Sequence, residues 1–470
     1  MDAETAPPLC ARCKEHDGVL DLRSEAVCQT CFATFVASKA IKRLEMLQRE
    51  TRGPKLPARP QRYLLALSRG PSSAALLHIL SENLRRQQER NRRVKFELVA
   101  AFVDVDVDVD VDEQARRPSS SPPSKSAAAD AAPAASPPDP STAAFAAHFP
   151  EIAIHTVPLS SILASPAVDW ASLPAQDASL PPPPRRLAAL LSRLPSASAR
   201  ADVARLLTRH ALLAAAARWD CGVVLLGYTT TALAELTLAE AAKGRGFGIP
   251  WLVNDGAFPL PPALDPPAPP PATSDTVVEA EGGVSVDANP SGDSAAVASI
   301  QIYSPLREIF RKEVLTYLSI VSSAAGPLAD LFPASSLGAS GGGGGSSSSS
   351  SKGAVVSHRD LSLDDVVARY FVDVEAAYPS VVANVVRTTG KLNRTAPIAS
   401  GTQTEVESEA AAGRQCGLCG VRLDPLGDER WKGEIGEADV IASSAVDEHG
   451  HIQGSKKSRL CYGCDRSVKG

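Results

Sequence analysis

Eight of the nine cysteines in this 470-residue chain fall into four Cys-x-x-Cys pairs, two towards each end. They are Cys10/Cys13, Cys28/Cys31, Cys416/Cys419 and Cys461/Cys464. A tight knuckle aims two thiolates at one point, and two knuckles complete the tetrahedral shell that zinc takes. The first two pairs are 14 residues apart, which is zinc-ribbon spacing. A full sulfur shell leaves no open position for catalysis, so such a site is structural. The alternative is a set of buried thiols that happen to be paired. The last two pairs are separated by 41 residues. They form one site if the chain returns, with His449 and His451 between them able to substitute as ligands, or else a pair of independent redox or partial sites. The ninth cysteine, Cys221, opens an apolar run and reads as an inert buried thiol. Two structural zinc sites are therefore expected, in modules over residues 1–50 and 414–467.

Four stretches are too poor in apolar residues to offset chain entropy and read as disordered. Residues 105–142 run from a Val-Asp repeat into Ser, Pro and Ala; 171–184 end in four prolines; 256–298 are rich in Pro, Ala and Asp; 334–353 form a Gly/Ser linker. The remainder is ample for a large core. A net charge of −5 gives no strong global field towards nucleic acid, although basic residues cluster at Lys39–Arg43 and Arg85–Lys95. The chain shows no basic-then-apolar leader, and its most apolar helical stretch is far below the ~20 residues of a membrane span. The cytosol is the expected compartment, where paired thiols suggest metal rather than disulfides.

Between the cysteine modules, residues 60–330 alternate strand and helix signals. Strands are expected at 62–68, 96–103, 151–157, 221–227 and 299–303. Helices are expected at 72–90, 185–219 with a break at Pro195, 230–243 and 306–318. A further helical segment spans 354–400. This order predicts an α/β fold, a parallel sheet with helices on both faces, with ligands bound at the carboxyl ends of the strands.

Ser68-Arg69-Gly70-Pro71-Ser72-Ser73 lies between the first strand and the first helix, where a phosphate loop would lie. The ATP-pyrophosphatase loop (PP-loop) reads Ser-Gly-Gly-x-Asp-Ser. Here Arg69 replaces the first glycine and Ser72 the aspartate. Ser68, Gly70, Ser72 and Ser73 are the candidate remnants of nucleotide binding, and Ser72 is equally an ordinary helix N-cap.

The run Leu64–His78 resembles the cytoplasmic tRNA 2-thiolation protein subunit 2 family. So do Cys28-Gln29-Thr30-Cys31-Phe32, Val157–Leu163, Lys243-Gly244-Arg245-Gly246, Pro305-Leu306-Arg307, the segment Val385–Leu392 and the terminal cysteine pairs. The resemblance covers nearly all the ordered chain, in order. It implies a degenerate PP-loop domain of the adenine nucleotide alpha hydrolase type. It also implies a catalytic paralogue with an intact loop as partner. Together the two place sulfur on C2 of the wobble uridine of certain tRNAs. ATP adenylates the base, with nucleotide binding supplied through the partner, and a thiocarboxylated ubiquitin-related modifier donates sulfur. The active relatives carry Gly-His-Asn-x-Asp-Asp where this chain has Gly227-Tyr228-Thr229-Thr230-Thr231-Ala232, and their second catalytic cysteine has no counterpart beside Cys221. Two chemical sites are thus eroded and no catalytic residue is assigned. Lys243, Arg245, Arg387, Lys391 and Arg394 are the candidates for tRNA phosphate contact, against a plainer role as solvated helix ends. Three functions compete: a non-catalytic subunit of a thiolating complex, a self-sufficient sulfurtransferase, and a zinc-ribbon interaction protein with no role in RNA.

Overall fold

The computed structural model describes residues 8–51, 60–91, 95–105, 140–174, 183–260, 299–323, 328–331, 361–392, 415–423 and 460–470. A hairpin of β1 (Leu20–Leu22) and β2 (Glu25–Val27) leads into the long helix α1 (Gln29–Thr51). Its turn residues Arg23 and Ser24 both have positive φ, 54° and 75°, the backbone that a tight two-residue hairpin requires. Phe32, Val36, Ala40, Leu44 and Leu47 recur every three or four residues along α1 and are buried.

The central sheet contains β3 (Gln61–Ala66), β4 (Phe96–Asp104), β5 (Ala153–Pro158), β6 (Val223–Leu225), β7 (Gly256–Pro259) and β8 (Ser299–Tyr303). Its spatial order is β5-β4-β3-β6-β8-β7. The first five strands in that order pair in parallel, and β7 closes the edge antiparallel to β8. The direction of winding reverses between β3 and β6, which is where open α/β sheets bind ligands. Successive residues of β3 face opposite ways. Tyr63 and Leu65 join one core, with α1, α2 (Pro71–Asn91) and α8 (Arg311–Ser323). Leu64 joins the other, with α4 (Pro183–Ser192), α5 (Ala197–Arg218), α6 (Thr230–Ala242) and α7 (Ile249–Val253). A short α9 (Leu328–Leu331) follows α8, and α10 (Leu363–Ala377) and α11 (Pro379–Thr389) pack against α6. Between β4 and β5 lies α3 (Pro140–His148), and the chain ends in α12 (Tyr462–Lys469). Burying both faces explains why these strands read as continuous apolar runs.

The helix starts follow from their caps. Ser196 accepts from the backbone of Ala199, Thr229 from Ala232, and Ser362 and Asp365 form a reciprocal capping box. Pro379 at the first turn of α11 separates it from α10, so the segment read as one helix is two.

Five boundaries differ from the sequence reading. Gly256–Pro259, assigned to an insert, is a sheet strand whose Phe258 is buried in the core. Its Pro259 sits at the sheet edge, where a missing N–H is tolerated. Pro140–Thr142 begin α3, and Leu173, placed in the second insert, is buried. Pro183 opens α4 because proline suits a first helical turn. Finally, α8 starts at Arg311 rather than residue 306, since Leu306–Phe310 turn first and Glu313 caps the Phe310 N–H at 2.8 Å. Most of insert 105–142, most of 256–298, the linker 334–353, His449 and His451 lie outside the described residues.

Candidate functional site

The loop after β3 keeps the place of a phosphate loop but is closed on itself. Ser73 is buried; its hydroxyl donates to the Gly70 carbonyl at 3.0 Å and lies 3.1 Å from the Ser68 hydroxyl. The Gly70 N–H turns back to Ser68 Oγ at 3.3 Å. Arg69 takes the left-handed backbone, φ 60°, at the position where the PP-loop pattern has glycine. That conformation costs a side-chain-bearing residue roughly 1–2 kcal/mol. The guanidinium, 3.6 Å over the Phe102 ring, offsets part of this and lays a cation along the loop. Gly227 presses on the same loop: a β-carbon there would stand 3.0 Å from the backbone N and Cα of Ser73.

The threonines after Gly227 serve as structural links. Thr229 caps α6. Thr230 donates its hydroxyl to the Arg307 carbonyl at 2.9 Å and its N–H to Ile309. Thr231 donates to Glu375 of α10 at 2.7 Å and accepts from the Arg311 N–H. Cys221 is buried, its thiol pushed up to about 11 by burial, in keeping with an inert residue.

Each cysteine quartet converges. The four sulfurs of Cys10, Cys13, Cys28 and Cys31 lie within 4.8 Å of one another, and so do those of Cys416, Cys419, Cys461 and Cys464. The Cys13–Cys28 and Cys419–Cys461 sulfurs are each 3.8 Å apart. Four sulfurs at ~2.3 Å from one ion stand about 3.8 Å apart, so the space suits one tetrahedral ion. Without a cation the thiols cannot all ionise. Glu15 and His16 hydrogen bonds pull Cys13 down to about 6, whereas its partner Cys31 is pushed up to about 12, first by its hydrogen bond with Cys28 and then by burial. At the other site Cys416 falls well below the ordinary thiol value as Cys419, Cys461 and Cys464 donate to it, and Cys419 and Cys464 rise well above. A divalent ion would let all four carry charge. The two C-terminal pairs therefore form one quartet.

The two modules seat on opposite faces. Arg23 in the first hairpin grips Glu313 at 2.7 and 3.0 Å, and Arg43 of α1 meets Asp255 at 2.6 Å. On the other face the His210 ring meets the Leu418 carbonyl at 2.8 Å, and the Asp169 N–H donates to Gly417 at 2.8 Å.

Lys243 and Arg245 stand differently from the sequence expectation. Arg245 is buried, with Nη2 on Asp202 at 2.5 Å, Nε on Glu240 at 2.6 Å and Nη1 3.9 Å from Cys464 Sγ. Lys243 binds Asp202 at 3.0 Å and Asp364 at 2.6 Å. Arg205 adds bonds to both Asp202 and Glu240. Burial alone would push the Asp202 carboxyl up; Arg245, Arg205 and Lys243 instead hold it well below the usual carboxylate range. Neither candidate cation is presented to an external phosphate, because Asp202, Glu240 and Asp364 already pair them. Their place is explained by docking: a β-carbon on Gly463 would fall 2.4 Å from Arg245 Cγ and 2.7 Å from the Lys243 carbonyl. Asp202 and Glu240 were not singled out from the sequence, since one acidic residue inside a long helix carries no local signal.

Arg387 and Lys391 are exposed at the end of α11, and Arg394 lies outside the described residues. Arg387, Lys391, Arg307, Lys39 and Arg23 line one cleft of about 500 Å³.

Comparison with known proteins decides the family. A family model described as cytoplasmic tRNA 2-thiolation protein 2 matches residues 362–466. A protein of that name from Sclerotinia sclerotiorum is 32% identical over 417 residues, covering 87% of this chain and 89% of its own length. The chain belongs to the cytoplasmic tRNA 2-thiolation protein 2 family. A second member, from Phaeosphaeria nodorum, is 30% identical over 464 residues, covering 98% of this chain and 94% of its own length. Within the family match fall α10, α11 and all four C-terminal cysteines. Among solved structures, the U34-tRNA thiolase NcsA from Methanococcus maripaludis with its 4Fe-4S cluster overlaps at a TM-score of 0.43 and 13% identity, covering 85% of this chain and 93% of that one. No helix of the described residues is long and apolar enough to cross a membrane.

Proposed function

We propose that the chain is the non-catalytic subunit of a cytoplasmic heterodimer that 2-thiolates the wobble uridine of tRNAs of the Lys, Glu and Gln type. Its partner is a paralogue with an intact PP-loop that binds ATP and adenylates the base. Sulfur comes from a thiocarboxylated ubiquitin-related modifier. This subunit supplies tRNA and partner binding.

The observation that carries this reading is the fate of the two chemical loops. In the first, Ser68, Gly70 and Ser73 bond to one another, Ser72 replaces the acidic residue, and the Arg69 guanidinium lies along the loop over Phe102. In the second, Thr229 caps a helix and Thr231 ties it to Glu375. The side chains that would anchor nucleotide are engaged in holding the fold. Meanwhile the sheet scaffold, both sulfur quartets and a cation-lined cleft are present, and binding requires no nucleophile. Zinc is the ion that the two four-sulfur shells suit best, and closing each shell would contribute to folding and docking of its module.

The test is mass spectrometry of bulk tRNA after deletion of the gene. The reading expects wobble 2-thiouridine to disappear and to return with the wild-type chain. Unchanged 2-thiouridine in the deletion strain would remove it.

A further inference from the structure

Three distant parts of the chain bring cations to one cleft. Arg23 comes from the first hairpin and Lys39 from α1, both in the N-terminal cysteine module. Arg307 comes from the turn after β8, and Arg387 and Lys391 from the end of α11. Thr230 lies at its base and Val386 on one wall, so the cleft opens on the carboxyl side of β6 and β8.

The balance of charge distinguishes this from a solvated helix end. Lys39 meets Glu308 at 3.0 Å, Arg307 meets Asp255 at 2.9 Å, and Arg23 meets Glu313 at 2.7 Å. Arg43 already shares Asp255 and Glu308, at 2.6 and 3.6 Å. Three carboxylates therefore face six cations once Arg387 and Lys391 are counted. Arg387 bonds only the neutral Asn384 amide, at 3.3 Å, and Lys391 has no acidic partner among the described residues. A chain of net charge −5 thus gathers a local positive excess across a gap between two modules. Like charges held together across a gap favour an anion between them, and guanidinium forks match phosphate oxygens.

We propose that this cleft binds phosphates of an RNA backbone, with Arg387 and Lys391 as the contacting cations and Arg23, Lys39 and Arg307 as the facing wall. The assignment rests on the RNA-binding reading above and deepens it. The cleft is open at its rim, where Arg23, Arg387 and Lys391 are all exposed, so a continuous strand can pass along it. Its apolar wall of Phe310, Ala383 and Val386 gives ribose a surface to lie against.

The experiment is filter binding of bulk tRNA by the full chain over a salt series. The paired variant Arg387→Gln/Lys391→Gln is compared with the control Arg85→Gln/Arg86→Gln on the outer face of α2. Thermal melting of both variants confirms that they are folded. Two lost phosphate contacts should weaken binding about tenfold or more and lower the salt slope by roughly two units, against less than about twofold for the control. Lys39→Gln should add to the loss. If the wild-type chain retains tRNA and the cleft variant matches it in affinity and slope, the cleft assignment fails and the RNA reading stands. If the wild-type chain retains no tRNA, the RNA reading fails and takes the assignment with it. Inorganic phosphate forms the last arm: if it binds the wild-type chain and not the variant, while tRNA binding is unaffected, the cleft is a small-anion site and the RNA assignment is overturned.

Discussion

Arg245 reaches from the end of α6 to Asp202 on α5, with Nη2 2.5 Å from Oδ1, and its other amino group lies 3.9 Å from the sulfur of Cys464. One side chain thus joins the sheet domain to the C-terminal cysteine site. Asp202 and Glu240 are each at most 1% exposed, so their charges depend on the surrounding cations. A ligand sulfur with a cation beside it is also easier to hold as a thiolate.

Asp202→Ala should destabilise the chain by about 3–5 kcal/mol, because Arg245, Arg205 and Lys243 would lose a buried counter-charge. Urea unfolding of the variant measures this. The same carboxyl gives a pH signature. Its folded pKa is depressed, so the native state releases the proton more readily than the unfolded chain. That contribution is complete above the unfolded value of about 4 and is lost progressively as the pH falls below it. In Asp202→Asn the acid-side loss of stability should be smaller. A loss below about 1 kcal/mol on Asp202→Ala would show that the cluster is solvated.

Gly463→Ala should loosen the C-terminal module, since the added methyl would meet Arg245 Cγ at 2.4 Å and the Lys243 carbonyl at 2.7 Å. The carbonyl is backbone and cannot swing aside. Faster zinc release to a chelator and faster proteolysis near residue 460 are the expected readouts. Gly246→Ala is the control, as nothing lies within 4 Å of its β-carbon position.

Elemental analysis of purified chain should find close to two zinc ions, one for each sulfur quartet. Cys10→Ser and Cys464→Ser should each lower the count by about one. A count near zero, or iron–sulfur absorbance in place of zinc, contradicts the assignment of the ion.

The isolated chain should form no AMP from ATP above background. Ser73→Ala should leave that background unchanged, because the Ser73 hydroxyl is occupied by Gly70 and Ser68. Robust AMP formation that Ser73→Ala abolishes would mean a self-sufficient enzyme.

Much of this was legible in the sequence, for physical reasons that differ by element. Strands buried on both faces announce themselves as apolar runs, as in Tyr63–Leu67. Cysteine pairs are legible because metal geometry fixes their spacing. A shared site for the two C-terminal pairs was the weaker expectation, since 41 residues separate them, and the four sulfurs do converge. The edge strand Gly256–Pro259 was hidden by its glycine and proline, and only pairing with β8 makes it a strand. Lys243 and Arg245 were the instructive failure. A basic pair beside glycines looks like a phosphate contact, but two of its three carboxylate partners, Asp202 and Asp364, lie far away in sequence, and nothing local shows that the third, Glu240, is buried. Arg387 and Lys391 carried the same local signal with no such partners near them.

If this chain binds while its partner performs the chemistry, reconstituted thiolation separates the two roles. The intact-loop paralogue, ATP, sulfur donor and tRNA are combined with and without this chain, and wobble 2-thiouridine is measured. The paralogue alone should form little product, adding the chain should restore it, and the Arg387→Gln/Lys391→Gln chain should restore it less. Thiolation by the paralogue alone at the rate of the pair would contradict this division of roles.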